Sequence, residues 1–137
     1  MKVAVAVDGS DNALRAVKHA ILLAQYLPGA RLEVIHVADQ SKARDENILA
    51  QNPETLALYR EQKLRPIREL AMSVEVEIKI TMLKGNPSQE IIKYVKEQSI
   101  DQLVIGSRGL NVFQEMMLGS VSHKVMKHAT CPVTIVK

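Results

Sequence analysis

Three glycines and a serine at fixed spacing are the residues of this chain best suited to chemistry. They are Gly106, Gly109, Gly119 and Ser120, in a segment that follows an apolar run and opens a helical pattern. Glycine lets the backbone approach an anion closely and turn its N–H groups inward. The first turn of a helix adds N–H donors and a partial positive charge. The spacing therefore predicts a site for a phosphate group.

Side chains near these glycines add further donors. Arg108 offers a charged fork to phosphate oxygens, and Ser120 and Ser122 offer hydroxyls. The segment is not a Walker loop, because no lysine precedes Ser120, and it is not the G-x-G-x-x-G pattern of dinucleotide sites. Two simpler interpretations stay open: the glycines make tight turns between a strand and a helix, and Arg108 is solvated.

Asp8 follows the first apolar run and is the second candidate. Its carboxylate either caps the first helix or belongs to the site. A carboxylate near phosphates is repulsive, so a functional Asp8 needs ribose hydroxyls or a divalent cation as its partner. We expect no metal site built by the protein alone, because His123 and His128 are five residues apart and Cys131 has no second cysteine near it. His36 lies in an apolar strand and is interpreted as a core residue.

Strand and helix patterns alternate along the chain. Pro66 conflicts with the second helix and is expected to kink it or break it at Arg65. Residues 38–52 are polar and are predicted to form a loop. The predicted strands are Val3–Val7, Leu32–Val37, Val74–Met82, Leu103–Ile105 and Pro132–Val136. The predicted helices lie between Ser10 and Pro28, from Pro53 to Met72, after Asn86 and from Gly119 to His128.

This alternation predicts an α/β fold: one doubly wound, five-stranded parallel sheet with helices on both faces. The continuous apolar strands at Val3 and Leu103 belong in its centre, and the strand from Val74, with one charged face, belongs at an edge. The order is then 3-2-1-4-5. Ligands in such sheets bind where the chain direction reverses, beyond the carboxyl ends of strands 1 and 4. Here those ends are Asp8 and Gly106.

Composition restricts the possible function classes. The 137 residues are expected to form one domain, 1–137, with 47% hydrophobic residues and a net charge of +3. The basic residues form no stripe, so no nucleic-acid partner is expected. The first apolar run is too short for a signal peptide or a membrane span, and we expect a cytoplasmic protein. Cys131, the one cysteine, is expected to be a buried structural thiol.

The chain resembles the universal stress protein family, in the subgroup that binds ATP. The family pattern G-x2-G-x9-G-[ST] is met from Gly106 to Ser120. The resemblance covers nearly the whole chain and includes Val7-Asp8-Gly9-Ser10, Ile35-His36-Val37, Lys84-Gly85-Asn86-Pro87 and the closing segment from Cys131 to Val136.

The resemblance implies ATP, with Mg²⁺, between the Asp8 turn and the glycine-rich loop. Val37 and Ile105 would flank the adenine, and Asp8 would contact the base–ribose side or a bound metal. The amides of the loop with Ser120, Val121 and Ser122 would hold the phosphates. The resemblance also implies a homodimer formed through the last strand, by Val133, Ile135 and Val136.

The sequence supports three functional hypotheses. The first is an ATP-binding stress-response or regulatory module, whose glycine-rich loop ATP orders. The alternatives are a slow ATPase or autophosphorylating enzyme, and a nucleotide-free dimeric scaffold. The loop holds no lysine and the chain offers no evident general-base pair, which favours binding over catalysis. The intact glycines argue against the scaffold.

Overall fold

The computed structural model describes residues 1–8, 10–39, 52–107 and 118–137. Strands and helices alternate, as predicted. Their bounds are β1 Lys2–Val7, α1 Asp11–Tyr26, β2 Arg31–Asp39, α2 Pro53–Met72, β3 Glu77–Gly85, α3 Pro87–Glu97, β4 Gln102–Gly106, α4 Ser120–His128 and β5 Val133–Val136. Of the predicted loop at 38–52, Ala38 and Asp39 belong to β2, Asn52 caps α2, and the rest lies outside the described residues.

The five strands form one parallel sheet in the order β3-β2-β1-β4-β5. The predicted α/β fold and strand order are therefore confirmed. Strands β1 and β4 lie inside the sheet because their side chains are apolar on both faces, and both faces are covered. In the register, Ala6 pairs with Ile105 and Val7 pairs with His36. The carboxyl ends of β1, β2 and β4 consequently lie along one edge.

Helices cover both faces of the sheet, as predicted. Alternate residues of β1 point to opposite faces, so Val3 and Val5 pack with α1 and α2, while Ala4 and Ala6 pack with α3 and α4. His36 is buried, which confirms its interpretation as a core residue. Two apolar layers thus hold the strand ends in fixed positions.

Three helices begin at a residue whose side chain caps them. The Ser10 hydroxyl accepts from the Ala13 N–H at 3.1 Å, and the Asn86 amide oxygen accepts from the Gln89 N–H at 3.2 Å. Asn52 caps α2 in the same way. Such caps each contribute about 0.5–2 kcal/mol to stability. Ser10 and Asn86 therefore each satisfy an N–H group in the first turn of a helix that begins where the sequence predicted.

Two effects were expected of Pro66, a kink or a break at Arg65. The break does not occur: α2 continues through Pro66 to Met72. Proline removes the N–H that would bond the carbonyl of Gln62, four residues earlier. Both Pro66 and Gln62 lie on the exposed side of the helix, where water can serve that carbonyl. Leu64 and Ile67, which are buried beside the proline, anchor α2 to the core.

The third strand begins at Glu77 and not at Val74 as predicted. The end of α2 uses the intervening residues: the N–H groups of Ser73 and Val74 donate to the carbonyls of Leu70 and Ala71. The alternation from Val74 is still meaningful, because Val74 and Val76 pack against the core before the strand begins. The strand lies at an edge of the sheet, as predicted.

Cys131 is only partly buried, against the apolar layer beneath α3 and α4, and is a free thiol. Burial raises the pKa of this thiol above its ordinary value, which keeps it in the less reactive protonated form near neutral pH. Across the described ranges, every helix is too short or too polar to cross a membrane.

Candidate functional site

The candidate site lies at the carboxyl edge of the sheet, between β1 and β4. Asp8 follows β1, and Gly106 is the last residue of β4. Because Ala6 pairs with Ile105, Asp8 and Ser107 each lie two residues beyond a paired position on neighbouring strands. This is the point where the chain direction reverses, which is where open α/β sheets bind ligands.

Asp8 shapes the turn that leads into α1. Its carboxylate oxygen Oδ1 accepts the N–H of Ser10 at 2.9 Å, and its side chain is half-buried. The side-chain cap of α1 is Ser10 and not Asp8. The Asp8 carboxylate therefore stabilises the turn that follows β1 at the carboxyl edge of the sheet.

Two hydrogen bonds join the two ends of the glycine-rich segment. The Gly119 N–H donates to the Ser107 carbonyl at 2.7 Å, and the Ser122 hydroxyl donates to the Gly106 carbonyl at 2.5 Å. The Ser107 N–H in turn donates to the Val136 carbonyl of β5 at 2.8 Å. We call Gly106, Ser107, Gly119 and Ser122 the loop neck. Arg108 and Gly109 lie outside the described residues.

The amino end of α4 differs from those of the other helices. Its cap residue is Gly119, which has no side chain to accept from the first turn, and the first turn holds no acidic residue. Gly119 has φ of −62° and ψ of 156°, a conformation open to any residue, so backbone geometry does not require glycine here. The first turn, with the exposed Ser120, thus presents donors and a positive dipole end at the neck.

The apolar candidates lie on one face of the sheet. Val37, Ile105 and Val121 all belong to the apolar layer beneath α3 and α4. Ile105 is 5% exposed, whereas Val37 and Val121 are only partly buried. At this edge, Val37 and Val121 therefore supply most of the apolar surface that a flat ligand group could contact.

The structure brings most of the sequence-predicted residues to one edge. Asp8, Gly106, Gly119 and Ser120 lie at the carboxyl edge of the sheet, and Ser122 is buried with its hydroxyl hydrogen directed to Gly106. In the part of the chain that the structure describes, no three His, Cys, Asp or Glu side chains are grouped to hold a metal ion.

Sequence reasoning did not single out Ser107, which links α4, β4 and β5 through its peptide groups. Its signal was its place, directly after Gly106 at the end of a central strand and inside the glycine spacing. The bonds themselves join residues 12 and 29 positions apart along the chain, so no local pattern reports them.

A model of the universal stress protein family matches residues 1–137. The chain belongs to that family. The universal stress protein YxiE of Bacillus subtilis is 35% identical over 146 residues, which cover 99% of this chain and 98% of that protein. The solved structure of the universal stress protein UspA from Lactobacillus plantarum has a TM-score of 0.84 and 26% identity, and the match covers 100% of this chain and 97% of that chain.

Two further universal stress proteins have been solved with nucleotides. One is in complex with cAMP, at a TM-score of 0.70 and 27% identity, covering 100% of this chain and 96% of the other. The other, from Archaeoglobus fulgidus, is in complex with dAMP. It has a TM-score of 0.67 and 27% identity, and the match covers 100% of this chain and 98% of the other. Both ligands are adenine nucleotides with a single phosphate group.

Proposed function

We propose that this universal stress protein is a regulatory module that binds an adenine nucleotide at the β1–β4 edge, physiologically ATP with Mg²⁺. The observation that carries the proposal is the amino end of α4, which has no side-chain cap and lies at the neck of the glycine-rich loop. A helix amino end is suited to a phosphate. The two relatives solved in complex with cAMP and dAMP support an adenine nucleotide as the ligand.

In this proposal the donors of α4 hold the phosphates. Ser120 contributes its hydroxyl and its N–H, and Val121 contributes its N–H, with Arg108 and Gly109 completing the loop. Val37 and Ile105 lie on the side of the adenine. An anion at a helix amino end gains about 0.3–2 kcal/mol, so micromolar binding, about 8 kcal/mol, requires the base and ribose contacts as well.

Asp8 has a separate role in this proposal. One carboxylate oxygen already accepts the Ser10 N–H, and a second negative group next to phosphates needs a positive or donating partner. Mg²⁺ or the ribose hydroxyls supply it. Asp8→Asn keeps an oxygen for Ser10 and removes the charge, so it should weaken binding with Mg²⁺ more than binding without it if the cation is the partner.

Binding, and not turnover, is the proposed activity. The segment from Gly106 to Ser120 holds no lysine, whereas fast phosphoryl transfer needs positioned metal ions, a placed nucleophile and charge neutralisation. Regulation by the nucleotide requires that it bind one conformation of the protein more tightly than another.

Calorimetric titration of nucleotide-stripped protein tests the proposal. We expect saturable binding of about one ATP per chain with Mg²⁺, and competition by AMP but not by GTP. The absence of heat, together with an unchanged melting temperature at millimolar ATP, ADP, AMP and cAMP, would contradict it.

We also propose a homodimer through β5. The two edges of the sheet differ: β3 exposes Glu77, Lys79 and Lys84, whereas β5 carries no charge. Charged side chains discourage pairing at an edge. The carbonyls of Pro132 and Val136 face β4, so by alternation the peptide groups of residues 133 and 135 face outward.

Val133, Ile135 and Val136 would form the seam of a closed twofold dimer. Light scattering on the purified protein should give twice the mass of one chain over a wide concentration range. A monomer at all concentrations would contradict it. We further propose that residues 1–137 act as one domain in the cytoplasm, a compartment that keeps a free thiol such as Cys131 reduced.

A further inference from the structure

We propose that Ser122 is a positioning residue for the nucleotide and not one of its phosphate ligands. This inference rests on the proposed function. It assigns to Ser122 the task of holding the first turn of α4 against the end of β4, so that the amides of that turn are correctly placed before any ligand arrives.

The hydrogen-bonding capacity of Ser122 carries the first step. A hydroxyl has a single hydrogen to donate, and that of Ser122 is donated to the Gly106 carbonyl at 2.5 Å. The residue is 4% exposed. Donation to a phosphate would require Ser122 to leave a buried carbonyl without this donor, which costs about 1–3 kcal/mol. Ser120 is exposed and has no such constraint.

The second step is the geometry of the loop neck. Ser122 to Gly106 and Gly119 to Ser107 are two bonds between the same two short segments, one at the end of β4 and one at the start of α4. Two bonds restrain the direction of α4 as well as its distance from the strand. Ser107 is also bonded to Val136, so the neck is held to the sheet on the β5 side.

Positioning of this kind affects affinity directly. Donors that are held in place before binding spare the ligand the cost of ordering them, and binding groups must be placed within about 0.5 Å to act together. Loss of the Ser122 hydroxyl leaves the Gly119 bond as the remaining restraint at the neck. The first turn of α4 then becomes less ordered in the free protein, and the nucleotide must order it.

The chain offers a matched control in Ser88. Its side chain is also 4% exposed, lies in the first turn of α3, and donates to Asn86 Oδ1 at 2.8 Å. Ser88→Ala and Ser122→Ala therefore each remove a buried hydroxyl from the first turn of a helix, at its second residue in α3 and at its third residue in α4. Of the two serines, only Ser122 belongs to the loop neck. Ser122→Thr restores a hydroxyl and serves as the rescue variant.

The experiment measures ATP affinity by calorimetry in all four proteins, well below their melting temperatures. It also measures amide hydrogen exchange of Gly119 without ligand. We expect Ser122→Ala to bind about tenfold more weakly, the change produced by one lost hydrogen bond. Ser88→Ala should bind within about twofold of the unsubstituted protein, and Ser122→Thr should recover most of the loss. Exchange at Gly119 should accelerate only in Ser122→Ala.

If the unsubstituted protein binds ATP, three results would overturn the inference. Unchanged ATP affinity in Ser122→Ala, when the unsubstituted protein binds ATP, removes Ser122 from the site and leaves the proposed function standing. Equal weakening by Ser88→Ala means that general stability is responsible. Weak binding with unchanged exchange at Gly119 means that Ser122 contacts the phosphate itself. If the unsubstituted protein binds no nucleotide, the proposed function fails and this inference fails with it.

Discussion

Tyr94 on α3 donates a hydrogen bond of 2.5 Å to Glu33 Oε2 on β2, and both side chains are buried. The Tyr94 hydroxyl also lies 3.2 Å from Thr81 Oγ1 on β3. One tyrosine thus joins a helix to two strands. A buried carboxylate requires such donors, because its removal from water is otherwise unfavourable.

The first prediction concerns this contact. Tyr94→Phe removes the donor and leaves the Glu33 carboxylate buried without it, so the free energy of unfolding should fall by about 1–3 kcal/mol. Tyr26→Phe is the control, because Tyr26 is 80% exposed, and it should change stability little. Urea denaturation measures both. Equal stability of the two variants would contradict the prediction.

The second prediction is a pH dependence. Burial raises the pKa of Tyr94, and its hydrogen bond to Glu33 raises the pKa further. The folded state therefore holds this proton more tightly than the unfolded state, whose tyrosine pKa is about 10. The resulting stability is complete below that pH and is lost as the pH rises through the higher folded-state pKa. Tyrosine titrates over a range of about pH 8 to pH 11. As the pH rises through that range, the free energy of unfolding should fall less in Tyr94→Phe than in the unsubstituted protein. Parallel curves would sink the idea.

The third prediction is that one substitution at Gly119 stabilises the protein and weakens ATP binding. Gly119→Asn supplies the side-chain acceptor that α4 lacks, which should raise the free energy of unfolding by a few tenths of a kcal/mol, about the Asn–Gly difference at caps. The same acceptor occupies an N–H of the first turn and should weaken ATP binding several-fold. Gly29→Asn is the control: Gly29 has φ of +70° and open space around a Cβ, which asparagine tolerates. Unchanged affinity in Gly119→Asn would argue against a phosphate at this helix.

The fourth prediction concerns the turn after β3. Gly85 has φ of +136°, and a Cβ there would lie 3.0 Å from Glu90 Cγ. Gly85→Ala should therefore destabilise the protein by about 1–3 kcal/mol. Gly29→Ala, which meets no neighbouring atom, should cost less. Thermal unfolding compares them, and a larger effect at Gly29 would be inconsistent with this account.

Much of the fold could be predicted because strand position determines side-chain type. Strands covered on both faces, such as Val3–Val7, must be apolar throughout, and the edge strand β3 can alternate with charge. Those two patterns place the central strands and one edge strand, and the short last strand, interrupted by Thr134, takes the other edge. The expected break at Pro66 was wrong because its cost depends on exposure: Pro66 and Gln62 lie on the solvent side of α2, where water can serve the free carbonyl.

The candidate site was predictable only in part. The spacing of Gly106, Gly119 and Ser120 marks the loop, since those residue types allow an anion to approach. The direction of the Ser122 hydroxyl, towards the Gly106 carbonyl, depends on how the start of α4 lies against the end of β4. The pairing of Glu33 with Tyr94 joins residues 61 positions apart, and no periodic pattern encodes it.

Amide NMR of isotope-labelled, nucleotide-stripped protein during titration with ATP and Mg²⁺ tests the central claim most directly. We expect chemical-shift changes that saturate at about one nucleotide per chain. They should be largest at the amides of Gly119, Ser120 and Val121. No change is expected at Gly29, which lies just before β2, at the end of the strands opposite the site. Saturable binding whose shifts lie away from the amino end of α4, or no shifts at millimolar ATP, would contradict it.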